Sequence, residues 1–158
     1  MLEIGCGAGH ALNLIGARLT TGTVTGLDRS ETQLAKARRR NADAIASGRM
    51  LLIHDALERA TLRRRYDRVL GINVNAFWTT PGRSIPSLAR ALALNGLLWL
   101  VYEPPSPSKF RQLAASLPTQ LAAKQLVVRS VLTERIARTH LLGICARLDD
   151  RSASGTRP

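Results

Sequence analysis

Short apolar runs alternate with periodic amphipathic stretches along this chain. Residues 1–4 begin a strand whose one charged position is Glu3, after which Ala11, Leu12, Leu14, Ile15 and Leu19 recur at helical spacing until Thr21-Gly22 interrupts them. Residues 23–27 read as a second strand, closed by Asp28, and Ser30 is a fitting N-cap for a helix running through Leu34, Ala37 and Ala42 to about residue 47. Residues 50–53 form a third strand ending at His54-Asp55, and residues 66–72 a fourth. A helix over 84–93 is expected to stop at Asn95-Gly96, before the apolar fifth strand, 97–102. Pro104-Pro105 ends that strand, and a helix over 108–124 follows, which Pro118 is expected to kink or split. Strands over 126–132 and 139–148 then come in succession, and 149–158 reads as a frayed tail.

Strand and helix alternate until that last pair, the pattern of a parallel sheet covered by helices. Two consecutive strands at the end imply a hairpin that inserts one antiparallel strand. A chain of 158 residues suffices for one domain with a sizeable core, so 1–148 is expected to form it.

Composition sets further bounds. No apolar run approaches the roughly 20 residues that span a bilayer, and the chain opens on a strand rather than an export signal, so a cytoplasmic protein without membrane partners is expected. Two cysteines, Cys6 and Cys145, make no disulfide framework and share no metal-ligand spacing with His54 or His140, so no metal is expected. The net charge of +12 invites a nucleic-acid reading. Of the 23 basic residues, however, 20 are Arg and three are Lys, a bias fitting GC-rich coding, and no aromatics interleave with the clusters at 38–40 and 63–65 as stacking platforms would require.

The candidate chemistry begins at Met1-Leu-Glu-Ile-Gly-Cys-Gly-Ala-Gly9. Three glycines at alternate positions between a strand and a helix let the backbone bend sharply and approach a ligand. The spacing departs from the G-x-G-x-x-G of dinucleotide sites, and an acid stands two residues before the first glycine. This turn resembles the first motif of class I S-adenosylmethionine-dependent methyltransferases. The resemblance implies a Rossmann-like three-layer α/β/α sandwich around a mostly parallel seven-stranded sheet with one antiparallel strand near the C-terminus.

It further implies that S-adenosylmethionine is the cofactor. Gly5, Cys6, Gly7 and Gly9 would form the turn against its methionine part, and Glu3 would help hold the ammonium end. Asp28, with Arg29 beside it, would accept from the ribose diol, Asp55 from the adenine amino group, and the Ala56 N–H would meet the ring edge. Asn73 would stand near the transferring methyl. Read residue by residue, Asp28 and Asp55 are also plausible helix caps and Asn73 a loop-bonding residue.

The acceptor is expected to be a small molecule. The stretch Asn73-Val-Asn-Ala-Phe-Trp78 lacks the Asn/Asp-Pro-Pro-aromatic sequence of many nucleic-acid amino methyltransferases, so an RNA methyltransferase using the basic surface is the alternative, alongside a non-catalytic cofactor-binding domain. Tyr102, Glu103 and Asn75 are the candidates for a catalytic group, with Phe77 and Trp78 as pocket walls and His10 as a group near the cofactor carboxylate. Relatives normally carry a helical segment ahead of the first strand. Its absence from this sequence leads us to expect an open site, closed by a homodimer mate or a partner chain.

Overall fold

The computed structural model describes residues 1–137 and 139–149; most of the tail expected at 149–158 therefore lies outside the described residues. In chain order the elements are β1 (Leu2–Ile4), α1 (His10–Gly16), β2 (Val24–Asp28), α2 (Glu31–Arg40), α3 (Ala42–Ala46), β3 (Met50–His54) and β4 (Tyr66–Ile72). There follow α4 (Ala76–Thr79), α5 (Pro81–Ala91), β5 (Leu92–Tyr102), α6 (Pro107–Ala122), β6 (Leu126–Ile136) and β7 (Thr139–Leu148). One seven-stranded sheet results, in the order β3-β2-β1-β4-β5-β7-β6. β7 runs antiparallel to both of its neighbours, and the remaining ladders are parallel, which is the Rossmann-like arrangement expected.

The sheet order reverses between β1 and β4, because the chain winds outward through β2 and β3 and then returns to the other side of β1. Loops leaving the carboxyl ends of those two strands part company there and leave a crevice. The larger core lies on one face, where Leu2, Val69, Leu98, Leu100, Leu142 and Ile144 meet Phe77, Leu88, Leu113 and Leu117 of α4–α6. A smaller cluster on the other face joins Cys6, Leu12, Val24, Leu34 and Met50 beneath α1–α3.

Several boundaries differ from the sequence reading, each for a tertiary reason. The helix expected through Ala42 breaks at Asn41, whose buried side chain donates to Gly9 O (3.2 Å) and Ala37 O (2.9 Å) and so ties the helix to the glycine turn. Asn95-Gly96 is not a helix stop but part of β5, which begins at Leu92 opposite Tyr66 across an irregularity in the ladder. A Cβ at Gly96 would stand 2.9 Å from Tyr66 O, so the close approach of strands needs glycine there. Pro118 does not split α6, which continues to Ala122 while Leu113, Leu117 and Leu121 pack into the core. β6 runs four residues beyond the expected end because β7 pairs with it as far as Ile136↔Thr139.

Candidate functional site

The glycine turn follows β1 immediately. Gly5, Gly7 and Gly9 all have φ between 52° and 74°, the left-handed region that glycine enters without penalty, which explains their alternation. The N–H groups of Gly5 and Cys6 both donate to Leu27 O, at 2.7 and 3.1 Å, so the turn is pinned to the end of β2. On its other side Asn41 and Arg40 donate to Gly9 O and Ala8 O, holding it against α2. A Cβ at Gly9 would collide with Asn41 and Ala37, whereas one at Gly7 would meet nothing within 4 Å. The turn is thus packed at its base and open at its crest.

Asp28, the last residue of β2, faces that crest. Its Oδ2 accepts from Gly7 N–H and its Oδ1 from Ser30 N–H, both at 2.8 Å. Ser30 in turn caps α2 by accepting from Gln33 N–H at 3.3 Å. The carboxylate is therefore both a positioning group for the turn and a wall of the crevice beyond it.

That crevice is a cavity of about 440 Å³ above the ends of β1–β4, lined by Gly5, Asp28, Arg29, Asp55, Ala56 and Asn73 with Leu57, Glu58, Val74, Asn75, Phe77, Thr79 and Thr80. Six of the ten residues expected around a cofactor thus share one wall. Asp55 Oδ1 accepts from Ala56 N–H (2.7 Å) and from Arg59 (3.1 Å), so the two groups assigned to an adenine ring bond each other here. Asn73 adopts a left-handed conformation (φ 53°), uncommon outside glycine, and its Oδ1 accepts from Glu103 N–H at 2.8 Å, joining the ends of β4 and β5.

Glu3, Cys6, Gly7 and Gly9 stand behind the lining rather than in it. Glu3 is 3% exposed and its Oε2 has no hydrogen-bond partner. Burial, reinforced by the negative charge of Asp28 and opposed by a bond to the Leu12 backbone, pushes its carboxyl up to about 7. Burial also pushes the Cys6 thiol up to about 12, that of an inert group under α1.

The acceptor candidates separate. Asn75 borders the cavity at the start of α4, an element the sequence did not reveal. Phe77 borders it too, with its ring otherwise enclosed in the core. Tyr102 lies outside the cavity lining: it is buried, and its hydroxyl donates to Val74 O at 3.1 Å, pinning the turn after β4, while burial raises its pKa well above the usual phenol range. Glu103 lies exposed outside the lining, with Thr139 Oγ1 donating to its Oε1 at 3.4 Å. Trp78 lies under the Lys109 ammonium, 3.6 Å from its ring centroid. His10 opens α1, exposed. Sequence reasoning missed Asn41, Thr79 and Thr80; an asparagine in the middle of a helical pattern was the available signal for the first.

The charge and shape of the site discriminate among ligands. Asp28, Asp55 and Glu58 line the cavity with Arg29 as its cation, and Glu3 lies buried behind the turn, an arrangement hostile to a pyrophosphate and suited to a ligand with a positive end. Among the described residues no cluster of His, Cys, Asp and Glu could hold a metal ion, and no helix is long and apolar enough to cross a membrane.

A doubly wound sheet with an acidic, glycine-crested crevice at its switch point defines the class I methyltransferase architecture, and comparison with known proteins agrees. A family model described as a methyltransferase domain matches residues 2–98. No curated protein matches the chain. Solved structures of the same fold include an S-adenosylmethionine-dependent methyltransferase from Clostridium acetobutylicum, with a TM-score of 0.71 at 9% identity over 94% of this chain and 83% of that one. A magnesium protoporphyrin IX methyltransferase from Synechocystis gives 0.72 at 16% identity over 94% and 73%. A geranyl diphosphate C-methyltransferase from Streptomyces coelicolor gives 0.73 at 11% over 93% and 70%. The chain belongs to the methyltransferase-domain family, the class I enzymes that use S-adenosylmethionine.

Proposed function

We propose that this domain transfers a methyl group from S-adenosylmethionine to a small-molecule acceptor, in the cytoplasm. The observation that carries the reading is Asp28: its carboxylate is fixed at the cavity wall by the open crest of the glycine turn, where a ribose diol finds an acceptor. Asp55 and Ala56 would hold the adenine, Gly5, Gly7 and Asn73 the methionine end, and Glu3 would oppose its positive charge from behind the turn. When bound, the cofactor supplies an electrophilic methyl group on a sulfonium.

The chain's own contribution is alignment and exclusion of water. Phe77 and Val74 form an apolar wall, Asn75, Thr79 and Thr80 offer polar groups to an acceptor at the same mouth, and no proton-removing side chain is assigned. Two fold relatives are named for small-molecule substrates, magnesium protoporphyrin IX and geranyl diphosphate, which supports the acceptor class. Both cysteines are free thiols, in keeping with a reducing compartment.

Calorimetric titration with S-adenosylmethionine, on the protein and on Asp28→Asn, followed by a methyl-transfer assay over a panel of small acceptors, tests the proposal. Saturable binding weakened by the substitution supports it. Absence of binding at millimolar cofactor overturns it, and binding without turnover on any acceptor reduces it to a cofactor-binding domain.

A further inference from the structure

The cofactor cavity lies at the carboxyl ends of the parallel strands, and a second cavity, of about 540 Å³, opens at their amino ends. Arg65 leads into β4, Arg90 stands in the last turn of α5 and Lys124 follows α6, so three cations distant in the chain border one depression. Pro86, Ala89, Leu94 and Leu148 give it an apolar lining. Among the described residues no carboxylate and no aromatic ring lines it, and none of its three cations forms an ion pair. Arg65 belongs to the 63–65 cluster, for which methyl transfer has no use.

Local backbone shapes this cavity. Leu92 pairs with Tyr66 and Leu97 with Arg68, so β5 carries surplus residues that bulge from the ladder, and Leu94 lies in that bulge, 47% exposed. Gln125, also in the lining, takes a left-handed conformation (φ 64°) that few residues other than glycine adopt, and its carbonyl accepts from Asp149 N–H at 2.8 Å. Arg90 donates to Ser87 Oγ at 2.8 Å, which steadies the guanidinium without neutralising it. The carboxyl ends of α5 and α6 both meet the cavity, but two helix ends offset only about one unit of charge, so three cations leave it positive.

We propose that this second cavity binds a phosphate monoester carried on an apolar tail, its phosphate held by Arg65, Arg90 and Lys124 and its tail lying against Leu94 and Pro86. The volume falls within the roughly 300–1,000 Å³ of small-molecule sites. Two guanidinium forks and an ammonium match the oxygens of a phosphate dianion, and a bare phosphate would leave the exposed leucine in water. A nucleic acid finds the cations but no ring on which to stack a base. A lipid headgroup and a soluble phosphate ester share the required chemistry. The proposal is independent of the methyl-transfer reading, since the two cavities have no residue in common.

Octyl phosphate, kept below its micelle concentration, is the probe, titrated into the whole chain by calorimetry beside inorganic phosphate and octanol. We expect saturable binding at about 100 μM, at least about tenfold tighter than either control. Arg65→Glu and Lys124→Glu should each weaken it by about tenfold, and Leu94→Ser should remove its advantage over inorganic phosphate. All three altered side chains are exposed, and circular dichroism checks the fold of each variant. Co-sedimentation with phosphatidic acid vesicles, and not with phosphatidylcholine, would support a lipid headgroup as the source; binding of octyl phosphate without co-sedimentation would support a soluble ester. Absence of saturable binding, equal affinity for inorganic phosphate or octanol, or affinity unchanged in both charge variants overturns the proposal. An RNA oligonucleotide that displaces octyl phosphate and binds more tightly also overturns it, and assigns the cations to nucleic acid.

Discussion

In β1–β3 the strands are three to five residues long, both faces are packed, and the residues at the strand ends are glycines and acids directed at a cavity. In β4–β7 the strands run to eleven residues, one face holds most of the core, and the polar groups at the strand ends bond each other, as Asn73 does with Glu103 and Tyr102 with Val74. The cavity takes its glycine turn and its acids from the first half and the residues from Asn73 to Thr80 from the second, which also holds most of the core. Binding geometry needs backbone that approaches closely, which glycine permits, whereas a scaffold needs buried apolar area, which long β-branched and leucine-rich strands provide.

The largest effect should come from setting the two faces of the second half against each other. Leu100→Ala, at a fully buried position, should cost about 2–5 kcal/mol of stability, while Leu132→Ala, at an exposed one, should stay within about 0.5 kcal/mol, both measured by urea unfolding. Equal losses would show that Leu132 is covered in solution.

Next comes Glu3, the acid buried in the first half. Its carboxyl titrates near 7 in the folded chain against an ordinary 4.5, so the folded state holds the proton more tightly than the unfolded one. The stabilisation is complete below the unfolded value and is lost as pH rises to about 7, up to about 3 kcal/mol in all. Glu3→Gln should flatten this fall in a pH series of unfolding curves and should weaken cofactor affinity, trading binding for stability.

Asp28→Asn keeps the side chain's shape but loses its charge and one of the two acceptors, so it can serve Gly7 or Ser30 and not both, and should weaken cofactor binding by about 2 kcal/mol in calorimetry. The smallest change is Tyr102→Phe. Losing the bond to Val74 O should cost about 1 kcal/mol of stability and leave the rate of methyl transfer from bound cofactor unchanged; a collapse of that rate would return Tyr102 to the reacting centre.

Much of the first half was legible in the chain because its signals are local. The glycine spacing, the Asp28-to-Ser30 cap and the strand ends at Asp55 and Asn73 each depend on a few neighbouring residues, and their order along the chain names the strand ends that meet. Asn41 was not legible, since its helix break answers to the Gly9 carbonyl 32 residues away. Gly96 was misread for a similar reason: Asn-Gly is a good helix stop, and only the pairing of Leu92 with Tyr66 turns it into strand. Tyr102 looked like a group at a strand end facing a substrate, but strand alternation turned it into the core.

The sequence by itself determined the strand and helix alternation, the left-handed glycine turn and the carboxylates at successive strand ends, because periodicity and backbone freedom are written in neighbouring residues. Only the tertiary structure decided that Asp28 grips the crest of the turn and that Glu3 lies buried behind it with an unpartnered oxygen. Those depend on which strands become neighbours, and strand order is set by long-range packing.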